Sequence, residues 1–169
     1  PTSLTGSVDC AFSGILGTGG LSATDTFDVW VHHPQDENGD WPEDHPDFPV
    51  VFFSPGVGLS THLAAGGFGH RYLPMISALA ERGFVVVALN PSADNWSTGQ
   101  RRAAMACAMI WARNDSSLSE HIGDVAILSG HSQGGAAASI LTSDLISGTA
   151  LPTGTCLLYT SPSPRDKTV

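Results

Sequence analysis

Three apolar runs of strand length alternate with segments of helical periodicity, and this alternation restricts the folds open to the chain. The runs are VVFF at residues 50–53, FVVVAL at 84–89 and DVAILS at 124–129, each followed closely by Gly, Pro or Asn. Strands that are aliphatic throughout are typical of parallel sheets covered on both faces. We therefore expect an α/β domain of three layers, with a mostly parallel sheet between helices.

The predicted helices lie between and after these strands. One has Pro74 in its first turn, Gly83 at its end and one face formed by Tyr72, Leu73, Ile76, Leu79 and Ala80. The others span about 98–113 and 133–146. Arg101 and Arg102 are expected on the solvent face of the second helix. An alternating strand is predicted at 27–31, and residues 1–25, rich in Gly, Ser and Thr, are expected to add one or two edge strands.

Charge narrows the range of partners. The 169 residues include 16 acidic and 7 basic side chains, a net charge of -9, which argues against binding to nucleic acid or an anionic membrane surface. No apolar run is long enough to cross a bilayer. A neutral substrate fits this charge better than an anionic one does.

Metal binding is not expected. The three cysteines have no metal-ligand spacing, and Cys107 is interpreted as a small buried apolar residue. The acidic segment 36–47 partly matches a calcium-loop spacing, but Trp41 occupies the position of the required Gly. A solvated acidic loop is therefore the preferred interpretation.

The segment Gly130-His131-Ser132-Gln133-Gly134 joins the third strand to the third helix. A G-x-S-x-G pattern between a strand and a helix is typical of a nucleophile elbow, in which a strained turn exposes the Ser hydroxyl. Gly130 and Gly134 are expected to remove side chains that would collide with the neighbouring elements. The alternative is a Gly-rich turn in which Ser132 only caps the helix.

An elbow of this kind requires an oxyanion hole. The residue after the nucleophile, Gln133, provides one backbone N–H, and the loop after an earlier strand provides the other. In the segment FFSPGVG the best candidate is the N–H of Val57, although SPGVG is also consistent with a simple type II turn. His62 and Trp96, which follow strand ends, are candidates for lining a substrate pocket.

The segments VVFFSPGVG, ISALAERGFVVVALNPSAD and GDVAILSGHSQGGAAAS together resemble the α/β-hydrolase superfamily. The similarity covers about residues 50–147 and is greatest to cutinase-like and polyester-hydrolysing lipases, with chlorophyllases and dienelactone hydrolases as further relatives. The resemblance implies hydrolysis of a small or polymeric carboxylic ester through an acyl-Ser intermediate, without a cofactor. It also favours a secreted protein, while the residues themselves identify no compartment.

The triad of this superfamily is incomplete in the sequence. Its order is Ser, acid, His, yet all seven histidines lie at or before position 131. We therefore expect residues 1–155 to be the front part of one catalytic domain, truncated after the nucleophile helix and inactive as it stands. A non-catalytic ligand-binding relative and a thioesterase or acyltransferase remain alternatives.

The C-terminal segment 156–169 is expected to be a non-native tail. Residues 156–166, CLLYTSPSPRD, resemble the translation of a transposase sequencing adapter. A native tail rich in Pro and Ser is the alternative, and resequencing of the parent transcript distinguishes the two.

Overall fold

The computed structural model describes residues 3–9, 26–43, 47–56, 72–90 and 96–148. The predictions for His62 and Val57 and for the tail after Thr155 therefore lie outside the described residues. The elements in chain order are β1 Ser3–Asp9, β2 Thr26–His32, β3 Phe48–Ser54, α1 Leu73–Ala80, β4 Val85–Asn90, α2 Thr98–Asn114, α3 Ser116–Ser119, β5 Ile122–Gly130 and α4 Gln133–Ile146.

The five strands form one sheet in the order β1-β2-β4-β3-β5. Strand β3 is parallel to both of its neighbours, β4 and β5, as the apolar runs predict. Strand β2 is antiparallel to both β4 and β1, so the N-terminal part of the chain extends the sheet on one side. The parallel strands all end at the same edge, which we call the carboxyl edge.

Helices cover both faces of the sheet, which confirms the expected three-layer α/β architecture. Helix α1 packs on one face through Ile76, and Tyr72 just before the helix joins it there, against Val51, Phe53 and Val86. Helices α2 and α4 pack on the other face. The fully buried residues on that side include Val29, Val85, Val87, Leu89, Ala104, Met105, Ala108, Ala137 and Leu141.

Helix α2 differs from its prediction at two residues. Its start is fixed by a capping box, in which Ser97 accepts from the Gln100 N–H and the Gln100 side chain accepts from the Ser97 N–H. Arg101 does not face solvent, because its side chain is only 1% exposed. Cys107 is buried as expected, but it is also disulfide-bonded, with its partner outside the described residues.

We call the opposite edge of the sheet the amino edge. Three aromatic rings stack on one another there. Trp41 lies between the rings of His33, at 4.0 Å between centroids, and His121, at 4.2 Å. Burial lowers the pKa of His33, and the nearby His121 lowers it further, whereas the hydrogen bond to the Pro34 carbonyl opposes the shift. Burial thus favours the neutral form of the His33 imidazole.

Of the helices in the described ranges, none is both long and apolar enough to span a lipid bilayer.

Candidate functional site

The backbone at Ser132 is strained. Its φ of 54° makes it the one non-Gly residue with positive φ in the described part of the chain. The accompanying ψ of -121° lies far from the left-handed helical region, so the turn from β5 to α4 costs conformational energy. The sequence pattern predicted such a tight turn at this residue.

The Ser132 side chain does not cap helix α4. Ser132 occupies the N-cap position, yet its hydroxyl accepts no hydrogen bond from the first turn, and the residue is exposed. A Ser that served only as a cap would accept from the second or third N–H of the helix. The capping interpretation is therefore wrong, and the hydroxyl is left available to a ligand.

The two glycines of the elbow are required by close backbone packing. A Cβ on Gly130 would lie 2.4 Å from the carbonyl carbon of Gly134. A Cβ on Gly134 would lie 2.1 Å from the Ser54 carbonyl oxygen and 2.6 Å from that of Pro55. The backbone at the start of α4 therefore packs directly against the loop that follows β3.

That loop, Ser54–Gly56, is buried and lies against the elbow. The His131 N–H donates to the Ser54 carbonyl at 3.1 Å, which continues the pairing of β5 with β3 into the turn. A Cβ on Gly56 would lie 2.8 Å from His131 Nδ1 and 3.3 Å from Ser132 Cβ. The loop predicted to carry an oxyanion donor is thus adjacent to the predicted nucleophile.

Gln133, the other predicted donor, is the first residue of α4. The N–H groups in the first turn of a helix have no acceptor within the helix, and they carry the positive end of its dipole. A negative charge that developed beside Ser132 would therefore meet a favourable field.

Two further side chains join the loop to the elements around it. The Tyr72 hydroxyl lies 3.3 Å from the Gly56 nitrogen and 2.9 Å from His131 Nδ1. Arg101 donates from Nη1 to the Pro55 carbonyl at 2.8 Å and from Nε to the Trp96 carbonyl at 3.1 Å. These contacts connect α1 and α2 with the carboxyl edge.

Comparison with solved structures identifies the fold. A hyperthermophilic esterase from the archaeon Pyrobaculum calidifontis matches 88% of this chain at 18% identity, with a TM-score of 0.54. A ferulic acid esterase from Streptomyces cinnamoneus matches 84% of it at 18% identity, with a TM-score of 0.51. The fold is that of the α/β-hydrolases. No protein-family model and no curated protein sequence matches the chain.

The chain spans only part of these α/β-hydrolases. It covers 41% of the archaeal esterase and 55% of the ferulic acid esterase. In an α/β-hydrolase fold the nucleophile elbow joins a strand to the helix that follows it. The strained turn between β5 and α4 has that position here.

The described histidines do not include a base for Ser132. His32, His33 and His121 lie at the amino edge, at the far end of the parallel strands. His131 lies at the elbow, and its Nδ1 is hydrogen-bonded to the Tyr72 hydroxyl. A base for an α/β-hydrolase reaction is therefore not found among the described residues.

Trp96 is buried rather than open to a pocket in the described structure. It is 7% exposed and packs edge-on against Phe27, with ring centroids 5.5 Å apart. Its contact with substrate stays a prediction. Its carbonyl contributes to the site by accepting from Arg101.

Metal ligands are not assembled in the described ranges, where no group of three His, Cys, Asp or Glu side chains is arranged to hold an ion. In the acidic loop, Asp36 Oδ1 instead accepts from the backbone N–H groups of Asn38 and Asp40. These bonds, with Asp40 first and Asn38 second, lower the pKa of the Asp36 carboxyl. The carboxylate thus stabilises a local turn.

Tyr72 and Arg101 are the site residues that sequence reasoning missed. The sequence does contain a signal for Arg101, because it precedes the buried Ala104 and Ala108 by three and seven positions and so shares their helical face. For Tyr72, periodicity predicts only a place on the buried face of α1. Its contact with His131 joins residues 59 positions apart, which periodicity does not reveal.

Proposed function

We propose that this chain carries the nucleophile and the oxyanion loop of a serine carboxylic ester hydrolase. The observation that carries the proposal is the strained and exposed Ser132, whose hydroxyl does not cap α4 and which lies against the Ser54–Gly56 loop. Strain of this kind concentrates at functional sites, because a relaxed turn would otherwise be favoured.

In the proposed reaction the Ser132 Oγ attacks the ester carbonyl carbon, and the alcohol leaves to give an acyl-enzyme that water hydrolyses. The negative charge on the carbonyl oxygen is stabilised by the N–H groups of Gln133 and Val57. A general base must remove the Ser proton during attack and return a proton to the leaving alcohol.

The base and its acid partner are proposed to lie in a continuation of the protein, because no His follows Ser132 in the sequence. The short coverage of both esterases is consistent with this. Residues 1–155 are accordingly proposed to be the front part of the catalytic domain and 156–169 a non-native tail. The 169-residue chain alone is expected to hydrolyse esters poorly, since triad members act as a unit.

The substrate is proposed to be a neutral ester, either small or polymeric. The net charge of -9 disfavours anionic substrates, and the two esterases with the same fold support ester chemistry in general. The sequence resemblance to cutinase-like and polyester-hydrolysing lipases suggests the finer class. A thioester substrate or an acyl-acceptor alcohol in place of water is a variant of the same chemistry.

Covalent labelling with an alkyl fluorophosphonate tests the proposal. The reagent is applied to the 169-residue chain and to a chain continued after Thr155 with the sequence from its genomic exon. We expect the continued chain to gain one adduct, which peptide mass spectrometry maps to Ser132, and the 169-residue chain to react far more slowly.

Matched variants define the result. Ser132→Ala should abolish the adduct, whereas Ser139→Ala, on the exposed side of the same helix, should leave it unchanged. If the continued and folded chain is not labelled at Ser132, the esterase proposal is wrong, and a non-catalytic ligand-binding role is favoured instead.

A further inference from the structure

We propose that Tyr72 and Arg101 are positioning residues that hold the Pro55–Gly56 peptide from its two ends and so aim the oxyanion loop at Ser132. The inference rests on the proposed function, because it gives this loop a part in the reaction. It concerns two side chains outside the elbow, one before α1 and one in α2.

The two side chains bind the same peptide unit. Arg101 Nη1 donates to the Pro55 carbonyl oxygen at 2.8 Å, and the Gly56 N–H of that peptide donates to the Tyr72 hydroxyl at 3.3 Å. Because a peptide is planar, bonds at its oxygen and at its nitrogen fix the orientation of the whole plane. The rotation about the Pro55–Gly56 segment is thereby restricted.

This orientation limits where the next N–H can point. With the peptide plane fixed, only φ and ψ of Gly56 separate it from the N–H of Val57, the proposed oxyanion donor. Gly has the largest accessible φ/ψ range of any residue, so a loop through Gly56 in which the preceding peptide also rotated would sample many more directions. Preorganised donors stabilise an oxyanion because they need no reorganisation during reaction.

The burial of Arg101 requires an explanation, and the loop contacts provide it. A buried guanidinium costs desolvation energy unless its N–H groups are satisfied. Nε and Nη1 donate to the carbonyls of Trp96 and Pro55, which belong to the loops after β4 and β3. Arg101 thus joins two loops of the carboxyl edge, and its positive charge polarises the Pro55–Gly56 peptide.

Tyr72 extends the arrangement to the elbow. Its hydroxyl accepts from the Gly56 N–H and so retains its own proton, which it can donate to His131 Nδ1 at 2.9 Å. That direction requires the His131 tautomer with its proton on Nε2. Loop, tyrosine and elbow are then joined by a continuous series of hydrogen bonds.

The sequence permits a selective spectroscopic test. Pro55-Gly56 is the one Pro-Gly dipeptide among the 169 residues, so labelling with carbonyl-13C proline and 15N glycine gives a single HNCO cross-peak from this peptide. We expect Tyr72→Phe to shift its amide proton upfield and Arg101→Met to shift its carbonyl carbon upfield, because each variant removes one hydrogen bond.

Arg102→Met is the matched control. Arg102 is adjacent in α2, is partly exposed and pairs with Asp144 at 3.2 Å, away from the peptide. Its replacement should leave the cross-peak in place. If Arg101→Met does not fold, Tyr72→Phe still tests the inference, since it removes a single oxygen atom.

The second readout is the rate of Ser132 phosphonylation in the continued chain. A phosphonyl oxygen gains negative charge during the reaction, so a misdirected oxyanion donor should lower the limiting rate about tenfold without changing the reagent concentration at half-saturation. A residue that only stabilised the fold would change the melting temperature and leave this rate intact.

The outcomes separate the two proposals. An unchanged cross-peak in Tyr72→Phe overturns the proposal that Tyr72 holds the Pro55–Gly56 peptide. A shifted cross-peak with an unchanged limiting rate overturns the positioning role of the residue that was replaced. If the wild-type continued chain shows no labelling at Ser132, the proposed function fails, and the oxyanion role of the loop fails with it. The cross-peak then still decides whether the peptide is held as described.

Discussion

The carboxyl and amino edges of the sheet are built by different kinds of contact. At the carboxyl edge, backbone atoms of the elbow and the Ser54–Gly56 loop approach so closely that Gly130 and Gly134 have no room for a Cβ. At the amino edge, the stack of His33, Trp41 and His121 depends on side-chain area. Close backbone packing favours the precise geometry required for chemistry, whereas stacked rings contribute mainly to stability.

The largest expected effect is that of Gly134→Ala. The new Cβ would lie 2.1 Å from the Ser54 carbonyl oxygen, and neither backbone segment can move without breaking the β3–β5 pairing. We expect a loss of about 4 kcal/mol or more in the free energy of unfolding, measured by urea denaturation.

Gly148→Ala is the control for this substitution. Gly148 has a φ of 72°, but a Cβ at this position would meet no atom within 4 Å, so the variant should lose only about 1 kcal/mol through backbone strain. If the two variants lose equal free energies of unfolding, close backbone packing at the carboxyl edge is not the reason that Gly134 is required.

The second effect concerns the amino edge. Trp41→Leu removes the ring between two imidazoles, and we expect about 2 kcal/mol of lost stability because a large apolar contact is truncated. The rate of Ser132 labelling should stay within about twofold, since the stack is at the far edge. A large fall in that rate in a folded variant would show that the two edges are coupled.

The third effect concerns the strain at Ser132. Ser132→Gly should raise the free energy of unfolding by about 1 kcal/mol, because Gly adopts a φ of 54° without a steric penalty. Ser132→Ala keeps a Cβ and should give no comparable gain, although both variants lose the hydroxyl. If the two variants are equally stable, the turn stores no strain.

The smallest effect is a pH dependence from the amino edge. Burial lowers the pKa of His33, so the unfolded chain binds its proton more readily once the pH falls below the ordinary value of about 6.5. Stability should therefore be complete above the ordinary pKa of about 6.5 and decrease as the pH falls below it, measured by urea denaturation at a series of pH values. His33→Phe, which keeps the stack but does not titrate, should flatten that part of the profile.

Much of the fold follows from local sequence patterns. Helix α4 begins and ends at the predicted residues 133 and 146, because a Gly-rich turn and Gly148 enclose an unbroken helical segment. Strand β5 starts two residues earlier than predicted, at Ile122, since Gly123 weakens the apolar pattern there. The antiparallel pairing of β2 with β4 was not predicted, because pairing partners depend on tertiary contacts rather than on periodicity.

The candidate site was only partly predictable. The G-x-S-x-G pattern located the strained turn, because the steric demand of that turn is local in sequence. Arg101 was misassigned because an Arg on a helix usually faces water, and its burial depends on carbonyls of two distant loops. For Arg101, the helical face that it shares with the buried Ala104 predicts burial better than its residue type does.

The pairing of Ser54 with Gly130 has a consequence for biosynthesis. The two halves of the site are far apart in the chain, so the loop, Tyr72 and Arg101 leave the ribosome well before the elbow does. Until β5 pairs with β3, the nascent polypeptide exposes the unpaired backbone edge of β3. Chaperone dependence during translation is therefore expected to end only when the segment through α4 has emerged.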